Sequence, residues 1–192
     1  MAKRSNDANE VEVRSRAELR DWLGKNHGNT TGIWLVHFKR VSPHYLPMGD
    51  IVAECLAHGW VDSLTRRKDE MRSMHWIAPR KKDSNWSVTN KNLIAELESV
   101  GLMTDAGLVA VRAAKADGSW ARLEAAERLE VPKDLKEAFA ARPGSKANWD
   151  AFSVSVRRNN LEWILTAKRP VTREKRVREI AEKSEANERV SQ

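Results

Sequence analysis

A single cysteine, Cys55, stands in 192 residues, which excludes an intrachain disulfide and any cysteine-based zinc site. Its expected place is the apolar face of a helix, as a small hydrophobe. No apolar run approaches the ~20 residues that a membrane-spanning helix needs. Residues 1–20 are polar and charged and lack the apolar stretch of a secretory signal, which leads to the expectation of a cytoplasmic protein. No Gly-x-Ser-x-Gly, P-loop or dinucleotide fingerprint occurs, so catalytic residues and cofactors are expected to be none. The five histidines, His27, His37, His44, His58 and His75, show no metal-ligand spacing on one helix, so no metal is expected, although His37 and His75 could meet across a sheet. Cys55 and His58 form an i, i+3 pair that could mimic a nucleophile and base, yet a cysteine on a helix face is more often core.

Against one Tyr and three Phe, the chain has eight Trp. Each indole brings a large apolar body and one N–H to satisfy, so most are expected as core anchors and a few as ligand contacts. The net charge is +7 and the pI about 9.7. That balance suits anionic partners, or a basic surface that keeps the protein in solution. Hydrophobic residues make up 41% and charged residues 32%, a composition that folds rather than one that stays disordered.

Residues 1–14 show no periodicity and read as a disordered leader. Ser15 and Glu18 form a capping box for a helix carrying Leu19, Trp22 and Leu23. Residues 33–38, IWLVHF, read as a buried strand. Met48, Ile51, Val52, Cys55 and Leu56 recur at helical spacing up to Gly59. Residues 60–67 and 71–78 read as a hairpin turning near Lys68-Asp69-Glu70. Beyond it the pattern is helical, with Ser87, Thr104, Ser145, Ser155 and Thr172 as expected caps, Gly101 and Gly118 as stops, and Pro170 ending a helix. The fold class that follows is α+β: a small N-terminal αβαββ unit with a short, mainly antiparallel sheet packed against a C-terminal helical bundle. A single compact domain over 15–183 is expected, its α+β part at 15–86 and its helical part at 87–183, with a frayed tail at 184–192.

The segment from Gly59 to Ser87 crowds Trp, Asp, Arg, His and Asn into two strands and a loop. A purely core-filling strand would alternate more cleanly. Trp60, Asp62, Arg66, His75, Trp76, Arg80, Asn85 and Trp86 are the candidate binding residues for a small anionic or aromatic ligand or a protein partner, since Arg forks and helix N-termini suit carboxylates and other anions. The competing structural reading is that Asp62 ties the sheet to the helices through a basic residue while Asn85 and Ser87 only cap. A second possibility is nucleic acid. From Arg157 to Lys183 there are nine Lys or Arg against four Asp or Glu, and Lys168, Arg169, Arg173, Lys175 and Arg176 could contact phosphates; the alternative is a solvated helix face. A third is an enzyme of unrecognised class on a small acidic substrate, which requires Asp62, His75 and Arg80 to share a pocket.

Several motifs in order resemble one family: Gly32-Ile33-Trp34-Leu35-Val36, Gly59-Trp60-Val61-Asp62, Pro79-Arg80 with Ser84-Asn85-Trp86-Ser87, Gly101-Leu102-Met103-Thr104-Asp105-Ala106-Gly107, and Ala167-Lys168-Arg169-Pro170 with Thr172-Arg173. From about Ser15 to Val177 the chain resembles the YdeI/OmpD-associated, or bacteriocin-protection, family. It departs in the loop Val41 to Met48, where Pro47 stands in place of a capping Ser or Thr. The resemblance implies a bacterial stress or protection protein associated with tolerance of bacteriocins and cationic antimicrobial peptides. It carries over no catalytic residue. Members are sometimes periplasmic; the missing export signal argues for the cytoplasm here.

Overall fold

The computed structural model describes residues 9–190, and the chain divides into two compact units between Ser119 and Trp120. The sequence had suggested one domain with its internal boundary at Trp86; the division falls two helices later. Of the expected leader, residues 1–8 lie outside the described residues, but β1 (Glu10–Glu12) is a strand. At the other end Ser184 is buried and Val190 packs on the core of the second unit, so the tail expected to fray from 184 is partly built in.

The first unit continues with α1 (Arg16–Asn26), β2 (Ile33–Phe38), α2 (Met48–Ala57), β3 (Trp60–Arg67), β4 (Arg72–Pro79), α3 (Val88–Ser99) and α4 (Asp105–Ala116). Its sheet runs β1-β2-β4-β3, with β1 parallel to β2 and the other pairs antiparallel, as an α+β fold requires. Central β2 is buried along Ile33–His37, the burial that an unbroken apolar strand demands. On one face Ile33, Leu35 and Ile77 join Leu19, Leu23, Ile51, Cys55 and Trp60; on the other Trp34, Val36 and Met74 pack with Trp76. The hairpin lacks an Asn-Gly turn because Asp69 replaces it: its Oδ1 accepts from the amides of Met71 at 2.9 Å and Arg72 at 2.7 Å.

Two helices are locked by charge. Glu54 of α2, 1% exposed, accepts from Arg16 at 2.7 Å and Arg20 at 2.9 Å, and Arg20 also donates to the carbonyl of Leu102 at 2.8 Å. A buried carboxylate persists only with such partners. Further along, α4 comes so close to α2 that a Cβ on Gly107 would lie 2.3 Å from the carbonyl oxygen of Ala57. Thr104 Oγ1 donates to that same oxygen at 2.6 Å.

The second unit comprises α5 (Glu124–Glu127), α6 (Lys133–Ala140), α7 (Ser145–Ala151), α8 (Val154–Leu165) and α9 (Pro170–Glu185), around Leu135, Phe139, Trp149, Leu161, Ile164 and Ile180. Three caps differ from expectation. Ser145 is buried and donates inward to the carbonyl of Arg142, leaving Gly144 as N-cap; Ser153 rather than Ser155 caps α8; and Pro170 opens α9 instead of ending a helix, with Thr172 already inside it. Proline at a first helical position gives up no hydrogen bond.

Candidate functional site

β4 ends at Pro79, and Arg80 adds one more rung by donating its amide to the Gly59 carbonyl at 2.9 Å. The chain then loops to Ser87, whose hydroxyl accepts from the Asn90 amide at 3.2 Å and starts α3. Trp86, 1% exposed, is thereby set beneath the strand end. The Arg80 guanidinium carbon stands 3.7 Å from the Trp86 ring centre, a cation–π stack. Arg80 Nη1 donates to the Asn85 carbonyl at 2.8 Å, while Nε and Nη2 are buried without a hydrogen-bond partner. Those two nitrogens form one edge of the guanidinium, the edge that pairs with both oxygens of a carboxylate. Burial pulls Arg80 down to about 10 and the Asp62 carboxylate pushes it back up, so it stays charged at neutral pH.

Beside this stack lies a cavity of about 660 Å³. Its walls are the loop after β4, including Lys81, Lys82 and Asp83, and one side of α4, with His27, His58 and Gly59 also lining it. The loop is fastened: Asp83, at φ 65, donates its amide to Asp117 Oδ2 at 3.2 Å, and Asp117 Oδ1 accepts from the Ser119 amide at 2.9 Å. Gly59, at φ +74, permits the close wall, because a Cβ there would lie 3.0 Å from the Ala106 carbonyl. His58 Nδ1 donates to the Glu54 carbonyl at 2.8 Å, which fixes the proton on that nitrogen and leaves Nε2 as an acceptor. Burial lowers its pKa, keeping the ring neutral.

Of the eight candidate binding residues, Arg80 and Trp86 line this cavity, and Asn85 contributes only its carbonyl. Trp60 is in the core, edge-on to Trp22 at 5.6 Å. Asp62 pairs with Ile77 on that same sheet face, half-buried. His75 also lies on this face, its Nδ1 2.8 Å from His37 Nε2. The histidine pair foreseen across the sheet therefore forms, and burial holds both rings below their ordinary pKa, His37 at about 4. Trp76 and Arg66 are on the opposite face, with Arg66 over Trp34 at 4.5 Å and Trp76 edge-on to it at 5.4 Å. One cluster in sequence thus becomes three places in space, because alternate strand residues face opposite ways. Asp62, His75 and Arg80 do not share the cavity, which removes the geometric condition for the enzyme reading. Cys55 is sealed in the core, burial pushes its thiol up, and His58 turns its proton to Glu54. Among the described residues, no group of three or more His, Cys, Asp or Glu could hold a metal, and no helix is long and apolar enough to cross a membrane.

In the second unit, Arg173 grips Asp134 through Nε at 2.7 Å and Nη2 at 3.1 Å. Arg176 Nη1 donates to the Trp163 carbonyl and to Thr166 Oγ1. Two of the five phosphate candidates are thus tied into the fold; Lys168, Arg169 and Lys175 are exposed.

The wall that sequence reading missed is α4. Its signal was there: Ala106, Val109, Ala110 and Ala113 recur at helical spacing, on a different side from buried Gly107 and Val111.

Residues 11–110 match a family described as a domain of unknown function (DUF8412), and residues 128–187 match the family described as bacteriocin-protection, YdeI or OmpD-associated. No curated protein and no solved structure is significantly similar to the chain. The resemblance expected from Ser15 to Val177 is therefore shared between two families. The Ala167–Arg173 motif falls in the bacteriocin-protection match, and the four earlier motifs fall in the other. Most of the cavity lining, from His27 to Ala110, lies within the first match.

Proposed function

Because the chain belongs to the family of the domain of unknown function DUF8412 and carries a bacteriocin-protection match over residues 128–187, we propose that it is a non-enzymatic protection protein that binds a small anionic ligand on Arg80. One observation carries this reading: a charged guanidinium fixed on Trp86 at the cavity wall with one bidentate edge lacking partners. A buried donor without an acceptor costs stability, and a carboxylate removes that cost. Binding rather than turnover fits the lining, since the Ser119 hydroxyl is spent on the Ala114 carbonyl and Cys55 does not reach the cavity.

The experiment is a titration of intrinsic Trp fluorescence and heat with acetate, phosphate and citrate at low ionic strength. Saturable binding by the wild type and none by Arg80→Met is expected. Equal responses from both proteins, or no response from either, would sink the reading.

A further inference from the structure

The cavity is much larger than a bare anion needs. At about 660 Å³ it exceeds many times the roughly 30 Å³ share of one water. An apolar side of α4 lines it: Ala106 and Ala113 stand about two helical turns apart, roughly 10 Å along the axis. Between them Val109 is 55% exposed, an aliphatic side chain lying open in a concave wall, and Pro79 adds to the apolar lining.

The charges do not ask for a zwitterion. Asp117 spends both oxygens on the amides of Ser119 and Asp83, and Asp105 sits in the first turn of α4, where a carboxylate offsets the helix dipole. Lys81 and Lys82 of the loop add positive charge to the lining, and the Arg80 edge, buried and without a hydrogen-bond partner, takes one head group.

We propose that the ligand is an amphiphilic monocarboxylate, its head on the Arg80 edge and its apolar tail along the Ala106–Ala113 face of α4. This rests on the anion-binding reading and specifies it. A planar pair of oxygens matches the Nε–Nη2 edge, and Trp86 behind the guanidinium keeps that edge in orientation. Tail burial supplies the affinity that one ion pair beside solvent does not.

The test uses calorimetry on the full chain with acetate, octanoate, octyl phosphate and octylamine, each below its micelle concentration. Each buried methylene is worth about a fourfold gain, so octanoate binds at least roughly 30-fold more tightly than acetate even if only part of the tail is buried. Octylamine does not bind. Val109→Asn, at an exposed position, keeps the wild-type melting curve and weakens octanoate about fivefold while leaving acetate unchanged. Ala113→Leu, which narrows the cavity, does the same. Equal affinity for acetate and octanoate, both lost in Arg80→Met, overturns the amphiphile and leaves the anion reading standing. Tighter binding of octyl phosphate than of octanoate overturns the carboxylate assignment. Octylamine binding as well as octanoate, or no binding of any anion, overturns both readings.

Discussion

Each unit stacks an arginine on a tryptophan, and the two stacks differ in what the arginine does with its donors. In the second unit Arg176 lies 5.0 Å from the Trp163 ring centre and gives its protons to the Trp163 carbonyl and to Thr166, at 3.1 Å. In the first, Arg80 sits closer to Trp86, at 3.7 Å, satisfies one carbonyl, and keeps a whole edge without a partner. The Arg176 stack closes the end of α8. The Arg80 stack lies at the wall of a cavity. A cation–π contact does not by itself indicate function; the hydrogen-bond accounting of the same guanidinium does.

That contrast can be broken from either side. The largest effect is expected where charge is wholly committed to the fold: Glu54→Ala strips Arg16 and Arg20 of their shared buried acceptor and costs roughly 2–4 kcal/mol, read as a lowered urea midpoint. Next comes Arg176→Met, which removes two hydrogen bonds and the Trp163 stack, leaves the Trp163 carbonyl only its bond from Thr166 Oγ1, and costs about 1–2 kcal/mol while anion binding stays at the wild-type level.

A gentler effect comes from pH. All five histidines lie before residue 76, and His37, His58 and His75 titrate below the ordinary value when folded. Above the unfolded value of about 6.5 both states are neutral and stability is full. As pH falls toward about 4, the His37 value, the unfolded chain takes up protons that the folded unit refuses, and stability drops. Glu162 in the second unit works the other way: burial and Glu127 raise its pKa, so acidification through that raised value favours the folded state. On going from pH 7 to 5, amide protection, corrected for the slower intrinsic exchange in acid, should therefore fall in the first unit and hold or rise in the second; a uniform change would erase the distinction. The smallest stability change belongs to Arg80→Met, about 1 kcal/mol or less, because losing the Asn85 hydrogen bond and the Trp86 stack is partly offset by deleting two buried donors that had no partners. A large loss there would make the Arg80 stack structural, like its counterpart.

The elements of the first unit were legible because their signals are local. The Ser15, Ser87 and Thr104 caps, the run at 33–38 and the stops at Gly59 and Gly101 need no distant partner. β1 was missed: Glu10-Val11-Glu12-Val13 alternates with period two, but a three-residue strand beside a charged terminus looks like leader until β2 is there to receive it. The site was half legible. Arg80 and Trp86 stood out by chemistry, while Arg66 and Trp76 belong to the other sheet face, a separation that depends on the register and on the irregularity between Asp62 and Thr65. Caps in the second unit went astray where serines lie two apart, as at Ser153 and Ser155, and tertiary packing chooses between them.

The strand order has a consequence for synthesis. β2 has β1 available on one side as soon as it is made, but its other neighbour is Arg72–Pro79. At about 5–20 residues per second, the ribosome needs roughly 2–8 s to deliver that partner. For that interval an uncharged, apolar edge is open to any nascent chain nearby. Truncations that stop before Pro79 should therefore precipitate on expression, whereas a chain carried through the hairpin has covered the exposed edge of β2.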